Sequence, residues 1–174
     1  MRYNTTKQKV LELFFDFPLA RMHLREIARR IKISAPAVSR ALVDLEKEEY
    51  IELEKRFLVY AKATNKNKFR NAKRIFNLEK IYRDGLLKRL EENCPLSTII
   101  LFGSYSRGED TEKSDIDIAV LAAPMELGLQ DFEGVYNRKI NIQFFDSRNI
   151  SEKIWESLIN GIVLQGSLRT NGIQ

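Results

Sequence analysis

The chain has 174 residues, 44% hydrophobic and 30% charged, with a net charge of +5, the profile of a soluble globular protein. Its longest apolar stretch, Ile116 to Met125, is broken by Asp117 and Pro124, and it falls short of the ~20 residues that span a bilayer. The one cysteine, Cys94, excludes an internal disulfide and a cysteine-rich zinc site.

That length holds one ordinary domain or two small ones, since domains commonly run to about 100–150 residues. The N-terminus, MRYNTTKQKVLELFF, has the pattern of an amphipathic helix and lacks the apolar core and cleavage site of a signal peptide. A reducing cytoplasm is the expected compartment. The charge is unevenly spread: residues 1–95 carry 22 Lys and Arg against 13 Asp and Glu, and residues 96–174 carry 7 against 11. A basic first half suits a polyanionic partner, although solvated helix faces are also often lysine-rich.

In chain order, Thr6 is placed to cap a helix running to about Asp16, ended by Pro18. Leu24, Ile27, Ala28 and Ile31 give a short second helix at helical spacing. Ser34 is a good N-cap for a third helix to about Glu49, with Pro36 in its first turn. Tyr50–Glu54 and Phe57–Ala63 alternate apolar and polar residues around Lys55-Arg56, which predicts a hairpin. Residues 65–93 read as a long basic helical linker, with a break expected near Asn77. After Pro95 come a strand (Thr98–Phe102), a turn and helix start, a strand (Asp115–Ala122) and a helix (about Leu129–Asn137). A strand (Lys139–Phe145) and a last helix (about Ser151–Leu164) complete the pattern. This alternation predicts a small mixed sheet with helices on one face. Cys94 reads as a small hydrophobe near a helix end, the dispersed aromatics as core, and His23 as a cap or surface residue.

The stretch Leu101 to Leu121, LFGSYSRGEDTEKSDIDIAVL, carries the chemistry. Nucleotidyl transfer calls for two divalent ions ~3.5–4 Å apart, and magnesium prefers hard carboxylate oxygens. Residues i and i+2 of a strand share a face and stand roughly 6.6 Å apart, so Asp115 and Asp117 can aim at one metal pair while Ile116 and Ile118 anchor the core. The Gly103-Ser104 turn lets backbone N–H groups and the Ser104 hydroxyl approach phosphate. Arg107, one turn on, is placed to contact phosphate or brace the aspartate strand.

Singly these signals are weak, but the ordered combination of apolar strand, GSYSRG, loop and SDIDIAV resembles the minimal nucleotidyltransferases of the DNA polymerase β superfamily. The resemblance covers about residues 97–146. It implies that Gly103 and Ser104 bind triphosphate, with Arg107 beside them, and that Asp115 and Asp117 bind magnesium and are catalytic. Gly108 matches the second glycine of the motif. Active members carry a third carboxylate on a later strand, in a basic-apolar-Asp-apolar context. In Arg138-Lys139-Ile140-Asn141-Ile142-Gln143 that position reads Asn141, which offers a neutral oxygen and no base. Asp146 has the opposite strand parity.

Leu24–Ile51 with the following hairpin resembles the winged helix-turn-helix domains of prokaryotic transcription regulators. That implies a recognition helix with Ser34, Ala35, Ala37, Ser39 and Arg40 near double-stranded DNA, Arg40 reading a guanine. Arg25, Arg29, Arg30 and Lys32 would meet phosphates, with Lys55 and Arg56 at the wing tip. Glu49 stands where a glycine often precedes the wing.

The expectation is thus an α+β protein with a winged helix-turn-helix (residues 1–64), a helical linker (65–95) and a small mixed-sheet nucleotidyltransferase fold (96–174). Its leading function is transfer of a nucleoside monophosphate from a magnesium nucleoside triphosphate, ATP first, to an unnamed acceptor. The alternative is a DNA-binding regulator whose nucleotidyltransferase fold is degenerate and serves as a nucleotide sensor or protein-binding surface. The resemblance also permits an antitoxin role with a HEPN-domain partner, and a DNA reader of this type is expected to be a homodimer.

Overall fold

The computed structural model describes residues 5–55, 57–146 and 150–168, and the chain divides into two compact units, Met1–Phe76 and Asn77–Gln174.

In the first unit, α1 (Thr6–Asp16) is capped by Thr5, whose hydroxyl accepts the Gln8 N–H at 3.2 Å, one residue earlier than expected. β1 (Arg21–His23) leads into α2 (Leu24–Ile31), where His23 Nδ1 accepts the Arg25 N–H at 3.2 Å and so acts as the cap. Helix α3 (Ala35–Lys47) begins after Ser34. It ends two residues before the expected Glu49, because the chain there turns left-handed: Glu49 holds φ 63°. The glycine-favouring geometry of the position is kept by a residue that pays for it in strain. β2 (Ile51–Lys55) and β3 (Val59–Ala63) form the hairpin, and β1 adds to it in an antiparallel sheet of order β1-β3-β2. Three residues are too few for β1 to show a period in the sequence. Val10, Phe14, Ile27, Val38 and Leu45 are wholly buried at the centre of this unit. The aromatics are not all core, since Phe57 stands fully exposed at the hairpin end.

The long helical stretch is α4 (Asn67–Arg83) and α5 (Leu86–Asn93). The break falls at Asp84-Gly85, where Gly85 takes φ 85°, and not at Asn77. Asn77 is buried within α4 because its amide has specific partners, described below.

The second unit is a sheet of order β6-β5-β4-β7, made of β4 (Ile99–Phe102), β5 (Ile116–Val120), β6 (Ile140–Phe144) and β7 (Ile162–Gln165). β4 is antiparallel to β5 and β7, and β5 is parallel to β6. Helices α6 (Gly103–Arg107), α7 (Gln130–Tyr136) and α8 (Glu152–Ile159) complete it. Two expectations are corrected. The last helix stops at Ile159 and the apolar run beyond Gly161 becomes the edge strand β7. A side chain on Gly161 would stand 2.8 Å from the Leu101 carbonyl oxygen, so the chain needs glycine to swing back onto β4. Helices also cover both faces of the sheet. Ile99, Leu101, Ile116, Ile118 and Val120 pack with Leu86, Leu87, Leu90 and Tyr136, whereas Ile100, Phe102 and Ala119 pack with Leu158 of α8. Cys94 is buried at the end of α5.

Tyr136 closes α7 onto α4, its hydroxyl donating to the Lys80 carbonyl at 3.1 Å. Burial, reinforced by the Asp84 charge, holds its phenol well above the ordinary value. The folded state therefore keeps a proton that the unfolded chain loses near pH 10, so this contribution to stability is present below about pH 10 and is lost as pH rises further. Tyr136→Phe should lower the free energy of unfolding by about 1 kcal/mol at neutral pH and flatten the loss of stability above about pH 10, read from urea unfolding curves across that range.

Candidate functional site

β4 is buried along its whole length, which fixes where its C-terminal end delivers the chain. There Gly103 turns at φ 73° into α6, and Gly108 ends that helix at φ 70°. Both are left-handed positions that glycine takes without strain. A Cβ on Gly103 would collide with the Asp117 carboxylate and lie 3.3 Å from Asp117 Cβ. The backbone at Gly103 and the Asp117 side chain therefore occupy one tight space.

Across the sheet, Phe102 pairs with Asp117, and Asp117 pairs with Asn141. The Asn141 amide donates to Asp117 Oδ1 at 3.0 Å. The strand expected to begin at Asp115 begins at Ile116, so Asp115 sits exposed just before β5 while Asp117 is half-buried on it. Ile116 N–H donates to the Lys139 carbonyl at 2.9 Å, tying this entry point to the start of β6. Asp115 lines an open cavity of about 390 Å³, with Glu112, Lys113, Glu133 and Lys139 among its walls. Ser104 is half-buried beside Gly103, its carbonyl accepting the Glu109 N–H at 3.0 Å.

The donor set suits a hard divalent cation: two carboxylates two residues apart, one against a backbone with no side chain, and a neutral amide in register. Among the described residues no group of three or more His, Cys, Asp or Glu side chains could hold a metal.

Arg107 is exposed, and its Nε donates to Glu109 Oε2 at 2.7 Å. The loop before Asp115 is braced instead by Arg138, Asp110 and Asn77. Arg138 pairs with Asp110 at 3.1 Å, their side chains 6% and 0% exposed. Asn77 donates to Asp110 Oδ1 at 2.8 Å and to the Tyr105 carbonyl at 2.9 Å. Spacing carries no signal for such a pair, because a charge is called buried only once the chain has folded over it.

In the first unit, Ser34 and Arg40 are exposed on α3, with Ala35, Ala37 and Ser39 half-exposed. Val38, Ala41, Leu42 and Leu45 occupy the buried side of the helix. Arg25, Arg29, Arg30 and Lys32 are exposed. Arg30 is already paired with Glu26 at 2.8 Å, and its guanidinium lies over Phe17. The acidic end of α3 is matched within the unit, Glu48 by Lys7 at 2.7 Å and Glu49 by Lys66. Lys55 closes the β2 backbone, and Arg56 lies outside the described residues.

Residues 83–158 match the family model of the nucleotidyltransferase domain, and residues 4–52 that of the winged helix-turn-helix DNA-binding domain. The second unit carries a nucleotidyltransferase domain. The first carries a winged helix-turn-helix. Over 47 residues, 26% of this chain, the sequence is 49% identical to the protein adenylyltransferase MntA of Shewanella oneidensis, covering 34% of that protein. Over 33 residues, 19% of this chain, it is 58% identical to two Methanocaldococcus jannaschii proteins provisionally named protein adenylyltransferases, covering 38% and 33% of them. The chain thus matches little more than a third of the length of these curated relatives. No described helix is long and apolar enough to cross a membrane.

In the nucleotidyltransferase domain, Gly103→Ala combines a left-handed φ with the clash on Asp117. It should cost about 1–3 kcal/mol in unfolding free energy and shift the backbone amide resonances of Asp117 and Asn141, whereas Gly85→Ala, with open space around it, costs only the strain.

Proposed function

We propose that the nucleotidyltransferase domain binds ATP with magnesium and transfers AMP to an acceptor hydroxyl, and that the winged helix-turn-helix binds double-stranded DNA. The observation that carries the first half is the approach of Gly103 to the Asp117 carboxylate, with Asp115 two residues before it. Backbone at Gly103 and the Ser104 hydroxyl would seat the triphosphate, because nothing larger than glycine leaves room for an anion-binding turn beside Asp117. Asp115 and Asp117 would hold the divalent cations, whose charge offsets that of the triphosphate and eases loss of the acceptor proton. In the transfer an acceptor oxygen bonds to the α-phosphorus, the bond from that phosphorus to the β-phosphate oxygen breaks, and pyrophosphate leaves. Asn141 takes no proton and adds no negative charge. Its amide instead orients Asp117 through the hydrogen bond to Oδ1.

The names of the relatives favour a protein as acceptor. A HEPN-domain protein, as the resemblance suggests, is the first partner to try, and a homodimer is the assembly that suits a palindromic DNA site. One observation favours a second reading. Since the third position is a neutral amide hydrogen-bonded to Asp117, the domain could hold a magnesium nucleotide without turning it over, acting as a sensor for a DNA-binding regulator.

Calorimetric titration with ATP and magnesium should show binding that requires the metal and that is abolished in the Asp115→Ala, Asp117→Ala double variant. Silence of the wild-type chain with ATP, GTP, CTP and UTP alike would put aside both the transferase and the sensor readings. For the other half, binding to duplex DNA should weaken with salt at a log–log slope of about −0.9 per phosphate neutralised. Arg40→Ala should cost about 1–3 kcal/mol on a cognate site, and Arg29→Ala should weaken all duplexes alike and reduce the slope by about one. A slope near zero would sink the DNA assignment.

A further inference from the structure

We infer that Arg138, locked by Asp110, is a positioning residue that sets the presentation of Asp115 to a divalent cation and its triphosphate. The inference rests on the nucleotide-binding reading above. Asp115 itself belongs to no strand and stands just before β5. Both peptide groups flanking it are nevertheless held by neighbours at the start of β6. Before it, the Ser114 carbonyl accepts from Arg138 Nη1 at 3.2 Å. After it, the Ile116 N–H donates to the Lys139 carbonyl at 2.9 Å. Arg138 Nη1 also donates to the Thr111 carbonyl, so one guanidinium grips both ends of the turn 111–114. That turn is closed on itself, with Ser114 N–H donating to the Thr111 carbonyl and Thr111 N–H to Ser114 Oγ, each at 3.0 Å.

The guanidinium is in turn immobilised. Nη2 pairs with Asp110 Oδ2 at 3.1 Å, and its carbon lies 5.7 Å over the Tyr105 ring. Asn77 fixes the other Asp110 oxygen and the Tyr105 carbonyl. A buried ion pair is a poor source of stability compared with apolar side chains of the same volume, so a pair retained at this depth points to geometry. Only a planar fork reaches a carboxylate and two carbonyls together. A lysine in its place keeps the charge and loses the span.

The test uses the full chain and Mn2+ with ATP, affinity being read from the electron paramagnetic resonance of bound Mn2+. Arg138→Lys should stay folded by circular dichroism while its Kd for Mn-ATP rises about ten- to hundred-fold, as is usual when a residue behind a metal ligand is lost. Asp110→Asn should move the Kd in the same direction. Ile99→Val, destabilised in the core at the far end of β4 from Gly103, should keep wild-type affinity below its unfolding transition, which separates positioning from a general loss of stability. Wild-type affinity in folded Arg138→Lys overturns the inference and leaves the nucleotide-binding reading standing. Failure of the wild-type chain to bind Mn-ATP overturns both. If Arg138→Lys does not fold, Asn77→Ser, which leaves the ion pair in place, decides: weakened Mn-ATP binding in a folded chain supports the inference, and unchanged binding overturns it.

Discussion

A carboxylate can stand against the backbone as closely as Asp117 stands against Gly103 only where that backbone carries no side chain. Much of the second unit serves that approach. β4 must be central and covered on both faces for its end to be rigid, and β5 must register so that Asp117 falls opposite Phe102. Gly103 must then leave the strand with positive φ so that the chain turns away before it collides with the carboxylate. Packing on each side of β4 makes the strand end a fixed point from which the polar groups are hung.

The electrostatics follow from what surrounds that point. Asp117 is half-buried and accepts a hydrogen bond from the neutral Asn141 amide, which orients its charge without cancelling it. Asp115 is solvated and is held through its neighbours' peptide groups. Deeper in, Asp110 and Arg138 neutralise one another, with Asn77 taking up the second carboxylate oxygen. Removing one partner of such a pair strands a buried charge, at a cost of about 3–5 kcal/mol. The exposed charge of Asp115 and the half-buried charge of Asp117 are thus separate from the charge consumed in holding the loop.

The first unit divides its charge in a comparable way. Glu26, Glu48 and Glu49 are matched by Arg30, Lys7 and Lys66, while Arg25, Arg29, Lys32 and Arg40 are exposed. Exposed pairs of this kind contribute little to stability, about 0–1 kcal/mol each. Their effect is to leave the acidic end of α3 compensated.

Which of these features could be read in the residues depended on their range. Local ones were legible: the start of α3 after Ser34 (whose side chain makes no capping hydrogen bond), the helix Leu24–Ile31, the hairpin, and above all GSYSRG followed by SDIDIAV, because glycine turns, helix starts and two-residue alternation act between near neighbours. The identity of Asn141 at the third position was legible too. Its placement beside Asp117 was not, since it depends on the parallel pairing of β5 with β6. The strand β7 reads as helix in the sequence because a short apolar run fits either period, and only pairing with β4 decides between them. The break at Gly85, against the one expected at Asn77, followed the same logic: Asn77 looks like a helix breaker until Asp110 and the Tyr105 carbonyl accept its amide. By itself the sequence determined the two kinds of domain and the residue types at the candidate site. Tertiary structure alone decided which charges were spent on one another and which were left facing solvent, because a charge loses its water only when residues distant in the chain close over it.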